Sequence, residues 1–255
     1  MGKNNTDFSY QEVVVDDIIF RLYIYEILTS TNQFALDSSL DIYSIIIANK
    51  QLKGKGRQGR TWISDNEGNL YFTIVLDNNE NIRTLFRLNI ITAYALCDTM
   101  KDVYSVNVKV KWPNDILYNG KKISGILLEA KMEGNKLNRI VLGVGINLNA
   151  DKIADEIKNR ATTLFLETGK KIDKLEFLKR FLRHFIKWKN WDGDINKLWD
   201  KYSAYYNKEI SFHYNNSIEK FIEKGITDDG ALIIEDKKGV LKKVYYGEIG
   251  YDFGN

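Results

Sequence analysis

The apolar positions of the chain follow two periods, and the switches between them outline its elements. Residues 22–28 (LYIYEIL), 43–49 (YSIIIAN) and 70–76 (LYFTIVL) are short β-branched and aromatic runs and predict strands. Between the first two, Ser30-Thr31-Asn32 predicts a helix N-terminus, where small polar side chains accept hydrogen bonds from free amides. Residues 82–101 place Ile82, Leu85, Phe86, Ile90, Ala93 and the apolar positions of 96–100 at helical spacing and predict a buried helix. Residues 106–112 (VNVKVKW) alternate, so a half-buried strand is expected to deliver Lys109 and Lys111 to one face. Residues 122–132 and 139–148 predict two antiparallel strands joined by the polar turn EGNK. Asp173 and Glu176 form a capping-box pattern ahead of a helix with Leu175, Leu178, Phe181, Leu182, Phe185 and Ile186 on one stripe. A second amphipathic helix is expected over 194–206.

From Glu209 onward the character changes. Short apolar runs are separated by turn signals: Asn215-Asn216, then DDG at 228–230 and DKKG at 236–239. Strands mixed with helices, followed by strands alone, predict an α+β fold. The expected division is an α+β main domain over 1–207, with 1–20 a loosely ordered lead-in, and a small C-terminal β domain over 208–255.

Charge and composition remove several classes of function. A net charge of +3 is mild, whereas nucleic-acid binders carry a denser basic face. The N-terminus is polar and has no apolar signal region, and no stretch approaches the roughly 20 apolar residues of a membrane span. Gly2 with Thr6 satisfies the short myristoylation pattern and is read as part of a polar tail. The single cysteine, Cys97, lies in an apolar run and reads as core; one thiol cannot form an internal disulfide, so a reducing compartment, the cytoplasm, is expected. Two histidines in unrelated contexts, His184 and His213, exclude a histidine-rich metal site and argue against a Ser-His-Asp triad.

Three segments carry candidate chemistry. Residues 51–62 read QLKGKGRQGRTW, with Gly54, Gly56 and Gly59 in G-x-G-x-x-G spacing. The dinucleotide fingerprint requires a helix directly afterwards, but Thr61, Trp62 and Ile63 lead towards another strand. A kinase loop fits locally, and Asp252-Phe253-Gly254 echoes one kinase motif, but no His-Arg-Asp exists and the triplet leaves no room for an activation segment. Glycine spacing lets backbone amides approach anionic oxygens, and Lys53, Lys55, Arg57 and Arg60 add positive charge. The loop thus suits a phosphate-bearing ligand; a solvated basic hairpin is the competing reading. Residues 111–115 (KWPND) hold the only proline, Pro113, which rigidifies the corner after Lys111. A lysine on a rigid strand is a good point charge for phosphate. Asn114 and Asp115 can hold the turn through local bonds, and Asp115 alternatively suits Mg²⁺. In residues 143–147 (GVGIN), Gly143 and Gly145 leave one strand face bare, either as a slot for a flat ligand or for tight strand packing.

Taken in order, these segments resemble the biotin–protein ligase family. The resemblance is carried by Ser30-Thr31-Asn32; by Gln51 with Gly54-Lys55-Gly56-Arg57-Gln58-Gly59-Arg60 and Trp62; by Gly68-Asn69-Leu70-Tyr71; by Lys111-Trp112-Pro113-Asn114-Asp115; by Lys122-Ile123-Ser124-Gly125-Ile126-Leu127 with Glu129; and by Gly143-Val144-Gly145-Ile146-Asn147. It covers about residues 22–150 strongly and the C-terminal region more weakly. It implies a catalytic domain related to lipoate ligases and class II synthetases, followed by a small SH3-like β-barrel. It implies an ATP-dependent enzyme that uses Mg²⁺, forms biotinyl-5'-AMP and passes biotin to one lysine of a biotin carboxyl carrier protein, with a homodimer by family analogy.

The resemblance also implies residue roles. Ser30, Thr31, Asn32 and Gln51 would meet the ureido ring of biotin, and the slot at Gly143 and Gly145 its valeryl chain. Lys111 would contact the biotin carboxylate and the attacked phosphate. Lys55, Gly56 and Arg57 would close over the adenylate, with Arg60, Trp62 and Asn147 on the ATP side. Lys111 and Arg57 are thereby the catalytic candidates, and Asp115 the metal candidate. The family loop usually reads Gly-Arg-Gly-Arg; Lys55 keeps the charge of the first arginine but not its planar fork. A lipoate ligase would share the fold, but a dithiolane needs no ureido donors. Family members that bind DNA carry a helix-turn-helix domain ahead of the first catalytic strand, for which about 20 residues are too few.

Overall fold

Alternation along the strands decides which face of the main sheet becomes core and which becomes site. The computed structural model describes residues 8–77, 82–134, 136–214 and 217–250. The Gly2/Thr6 pattern, Asn135 of the EGNK turn, the Asn215-Asn216 turn and the Asp252-Phe253-Gly254 triplet lie outside them. Among the described residues, eight strands form one mixed sheet in the order β1-β2-β3-β4-β8-β7-β6-β5. They are β1 (Phe8–Val15), β2 (Ile18–Leu28), β3 (Ser44–Gln51), β4 (Leu70–Leu76), β5 (Lys109–Lys111), β6 (Asp115–Tyr118), β7 (Lys121–Glu133) and β8 (Lys136–Ile146). Only β2 and β3 pair in parallel, and helix α1 (Thr31–Asp37) lies in the connection between them.

In β4, Leu70, Phe72, Ile74 and Leu76 enter the large core, as do Ile140, Leu142, Val144 and Ile146 of β8. Helices α2 (Ile82–Tyr104) and α4 (Lys174–Lys189) cover that face, α4 burying the predicted stripe Leu178, Phe181, Leu182, Phe185 and Ile186. On the other face, Ile46, Ala48, Val75 and Val141 form a small cluster with Ala35 and Phe34 of α1. Period-2 geometry sends Thr73, Gly143 and Gly145 to this thinly covered face. The cleft opens there.

Two short helices, α3 (Leu164–Thr168) and α5 (Trp199–Tyr202), complete the helical set, followed by a sheet in the order β12-β11-β10-β9-β13. Its strands are β9 (Glu209–Tyr214), β10 (Ser217–Ile226), β11 (Leu232–Glu235), β12 (Leu241–Val244) and β13 (Glu248–Ile249). Ile210, Phe212, Leu232 and Ile249 share one continuous core with Trp112, so this sheet is packed against the end of β5. Trp112 Nε1 donates to the Gly230 carbonyl at 3.1 Å, and the Trp112–Pro113 peptide is cis.

Three expectations change. The lead-in over 1–20 is a hairpin from residue 8 onward: β1 pairs with β2 from Phe8↔Tyr25 to Val15↔Ile18, turning at Asp16, which has φ 51°. Val13 and Val15 are buried, and this apolar payoff orders the segment. The helix expected over 194–206 is a 3-10 turn (Asn196–Leu198) running into α5. One turn buries Trp199 and Tyr202, after which Ser203 leaves to bridge Val110 of β5 and the Ala204 amide bonds the Val110 carbonyl. The strand expected over 106–112 is cut to β5, and its two lysines part: Lys109 Nζ donates to the Lys201 carbonyl at 2.6 Å, and Lys111 turns to the cleft. Cys97 is buried, and burial pushes its thiol far up, as a core residue requires. Among the described residues no helix is long and apolar enough to cross a membrane.

Candidate active site

A cleft of about 1060 Å³ runs from the N-terminus of α1 to the C-terminal sheet. Its closed end is polar but uncharged. Ser30 caps α1, its Oγ accepting from the Gln33 amide at 3.4 Å. Gln51 Oε1 accepts from the Thr31 amide at 2.8 Å and from Thr31 Oγ1 at 3.1 Å, while Gln51 Nε2 donates to Ser64 Oγ at 2.9 Å. Thr73 Oγ1 lies 2.8 Å from Thr31 Oγ1 and donates to Asn32 Oδ1 at 2.6 Å. Asn32 Nδ2 donates to the Leu127 carbonyl at 3.1 Å and to Glu129 Oε2 at 2.8 Å. Ser30, Thr31, Asn32, Ser64 and Thr73 are all buried. These groups therefore hold fixed orientations and offer donors and acceptors to a neutral polar head.

The glycine face beside them is covered by two side chains rather than left open. A Cβ on Gly143 would lie 2.1 Å from Asn32 Oδ1, and one on Gly145 would lie 2.5 Å from the Trp62 ring. Gly125, one strand over, faces the same ring, with a Cβ at 2.8 Å. Trp62 thus lies flat on backbone that only glycine leaves open, with Lys122 Nζ 5.1 Å from its ring centroid. Its Nε1 is buried and has no hydrogen-bond partner among the described residues.

Lys111 is 1% exposed and lies behind the charged half of the cleft, against two carboxylates that line it. Its Nζ is 3.6 Å from Asp115 Oδ2 and 3.8 Å from Glu248 Oε1. Burial pulls the ammonium down from its ordinary pKa, and the two carboxylates oppose that pull. The strand-to-strand corner fixes this geometry: Lys111 and Asp115 face each other across the β5–β6 pair, and Asn114 donates to the Ile126 carbonyl at 2.8 Å. Asp115 also pairs with Lys122. Asn114 thus reaches across the sheet for its partner, while Asp115 meets both Lys111 across the turn and Lys122 of β7. Among the described residues there is no group of three or more His, Cys, Asp or Glu side chains placed to hold a metal ion. Asp115, held by two ammonium groups, fits an anchor for lysines better than a resident metal ligand.

The glycine-rich loop arches over the cleft as a hairpin closed by Gly56 N to Arg60 O at 2.7 Å and Trp62 N to Gly54 O at 2.9 Å. Its turn uses Gln58 at φ 55° and Gly59 at φ 73°, the left-handed region that glycine adopts freely. Arg57 reaches Asn114 Oδ1 at 3.4 Å and the Gly247 carbonyl at 3.5 Å. Arg60 grips Glu248 with both nitrogens, at 2.8 and 2.7 Å. Lys55 Nζ instead turns to Gln33 Oε1, at 2.6 Å. Asn147 braces the rim: its Nδ2 donates to the Thr162 carbonyl at 3.0 Å.

Of the residues given roles from the sequence, all but Lys111 line this cleft, and Lys111 lies behind its wall against Asp115 and Glu248, which do line it. Three others were not foreseen, and Lys122, though part of a quoted motif, was given no role. Thr73 had a signal, a lone polar residue at an inward position of an apolar strand. Ser64 had none beyond its proximity to a motif. Glu248 comes from the C-terminal sheet, 137 positions beyond Lys111 (248 − 111), and only tertiary packing brings it there.

Comparison with known proteins follows the same lines. A family model described as "Biotin/lipoate A/B protein ligase family" matches residues 24–147, and one described as "Biotin protein ligase C terminal domain" matches residues 207–249. The biotin–[acetyl-CoA-carboxylase] ligase of Paracoccus denitrificans is 30% identical over 221 residues, covering 83% of this chain and 92% of that protein. A bifunctional ligase/repressor of Bacillus spizizenii is 30% identical over 213 residues; the match takes in 81% of this chain and 65% of that longer protein. The biotin protein ligase of Aquifex aeolicus, solved in complex with biotin and ATP, superposes with a TM-score of 0.80 at 27% identity, covering 90% of this chain and 97% of that one. The chain belongs to the biotin protein ligase family.

Proposed function

We propose that this chain activates biotin with MgATP as biotinyl-5'-AMP and transfers the biotin to one lysine of a biotin carboxyl carrier domain. The observation that carries this reading is the buried ammonium of Lys111, set beside a cationic loop in a cleft whose other end is neutral and polar. Such a cleft suits a ligand with an uncharged hydrogen-bonding head and an anionic tail that must meet a polyphosphate. Ser30, Thr31, Asn32 and Gln51 face the ureido ring; the chain that follows runs beside Gly143 and Gly145, whose missing Cβ atoms let Asn32 and Trp62 lie close against the sheet.

The biotin carboxylate attacks the α-phosphorus of MgATP, a P–O bond forms, and the bond to pyrophosphate breaks. No protein nucleophile takes part. Lys111 draws the two anions together and neutralises charge as it develops on the phosphoryl oxygens; Arg57 and Arg60 add to the field. Mg²⁺ would enter with the nucleotide as part of MgATP and would supply positive charge to its phosphates, and no step rests on Asp115 as its ligand. Trp62 and Asn147 lie on the nucleotide side. In the second step the neutral amine of the carrier lysine attacks the acyl carbon and AMP leaves. Lys55, Gly56 and Arg57 belong to the loop that keeps the mixed anhydride from water until then. A reaction that consumes ATP and modifies a carboxylase subunit belongs in the cytoplasm.

Incubation with biotin, MgATP and a carrier domain, read by mass spectrometry, tests the whole reading: an unmodified carrier would reject it. Lys111→Ala is expected to slow pyrophosphate release by about 10²–10³-fold with the fold intact, and a normal rate would remove Lys111 from the chemistry. Arg57→Gly is expected to let adenylate escape, so that bystander lysines become labelled; labelling confined to the carrier would show that the loop is not the lid.

A further inference from the structure

Building on the ligase reading above, we propose that Lys55 is a clasp rather than a phosphate ligand: a positioning residue that ties the glycine-rich loop to the bank of the cleft formed by α1 and β7. The loop has two banks to hold. On the far side Arg60 grips Glu248 of the C-terminal sheet. At its base Leu52 and Lys53 are fixed by their amides to the Leu28 and Thr29 carbonyls, at 2.9 and 2.8 Å. The ammonium that ties the loop's outer half to the near bank is that of Lys55. It donates to Gln33 Oε1 at 2.6 Å and lies 3.9 Å from Glu129 Oε1.

Both acceptors are already anchored. Gln33 Nε2 donates to Asp37 Oδ2 at 2.7 Å along α1. Glu129 Oε2 accepts from Asn32 Nδ2 at 2.8 Å, so the clasp is joined to the neutral end of the cleft through Asn32. A single nitrogen with three donors can serve two acceptors that converge from different elements, whereas a guanidinium spreads its donors over a plane. The presence of lysine where the family usually has arginine is consistent with this role. With its side chain 41% exposed, the ion pair to Glu129 adds little to global stability. Its effect is local: each opening of the loop must break it.

Two readouts on Lys55→Met test this. In the ligand-free protein, amide hydrogen exchange across residues 52–62 is expected to be roughly three- to tenfold faster than in the wild type. Equal exchange overturns the clasp, and this measurement needs no catalysis. The ligase reading fails separately, if wild-type protein releases no pyrophosphate from biotin and MgATP. In the active enzyme, preformed adenylate is expected to escape faster from Lys55→Glu than from wild type, and the charge exchange Lys55→Glu with Glu129→Lys is expected to recover retention. A residue whose work is to touch phosphate would gain nothing from that exchange, so failure of the double variant to recover overturns the proposal.

Discussion

Lys111 combines near-complete burial with two carboxylate neighbours, and this sets how the cleft responds to pH. Burial lowers the ammonium's pKa; Asp115 and Glu248 raise it. Asp115→Asn removes one support and is expected to move the alkaline limb of the adenylation rate to lower pH, since a more depressed ammonium loses its proton earlier. A pH profile superimposable on that of the wild type would show that Asp115 does not tune Lys111. Glu248 stays below the usual carboxylate range, against the opposing effect of burial, through Arg60 and Lys111. At this scale the sequence was informative where residue type and local chain geometry suffice. Lys111 beside a proline corner and the paired glycines at 143 and 145 point to the cleft without any knowledge of packing. Asp115 was ambiguous because a carboxylate next to a turn can hold either the turn or a metal ion, and only packing brings Lys111 and Lys122 to its side.

The elements act as mounts for these groups, and the mount with fewest local supports is α1. It is seven residues long, too short to persist alone. Its ends are held from outside: Gln51 takes the Thr31 amide, and Arg139 of β8 donates Nε to the Ala35 carbonyl and NH2 to the Leu40 carbonyl, both at 2.6 Å. Arg139→Ala is expected to let α1 tilt and weaken biotin binding about tenfold, on the order of 1.4 kcal/mol, with AMP affinity unchanged. Calorimetry with each ligand checks this; an equal loss for both would mean general unfolding. The cap at Ser30 was legible because it depends on the next three residues, and the same is true of Asp173, whose Oδ1 accepts from the Glu176 amide at 2.9 Å. The helix expected over 194–206 was not. Its amphipathic spacing is real, but Val110 offers Ser203 and Ala204 a strand-like partner, and a long-range backbone bond outcompetes local propensity.

At the scale of the whole molecule, the C-terminal sheet and the larger unit meet across buried polar groups as well as apolar ones. Glu223 of β10 is fully buried; its Oε1 accepts from Trp199 Nε1 at 2.8 Å and from Ser203 Oγ, while Oε2 has no hydrogen-bond partner among the described residues. Burial raises its pKa from 4.5 to about 7, with only Lys208 opposing by charge. The folded protein therefore holds this proton more tightly than the unfolded chain does. The contribution is most favourable below pH 4.5, worsens as pH rises, and reaches its full cost above about pH 7. Glu223→Gln is expected to gain on wild type across that window by on the order of 3 kcal/mol and to run parallel to it above. Urea unfolding at pH 5 and pH 8 measures the gap, and a gap that does not change with pH would place the raised pKa elsewhere.

The strands of the central sheet from 22 to 76, the capped helix after Asp173, the two-face alternation and the set of cationic and glycine positions were determined by the sequence alone, because each depends on residues within a turn or a strand of one another. Tertiary structure alone decided that Val13 and Val15 make a hairpin of residues 8–28, that Lys55 turns to Gln33 of α1, and that Glu248 closes the cationic end of the cleft. Those outcomes are set by which surfaces exclude water together and which charges then share a low-dielectric space. Neither is a property of any short stretch of chain.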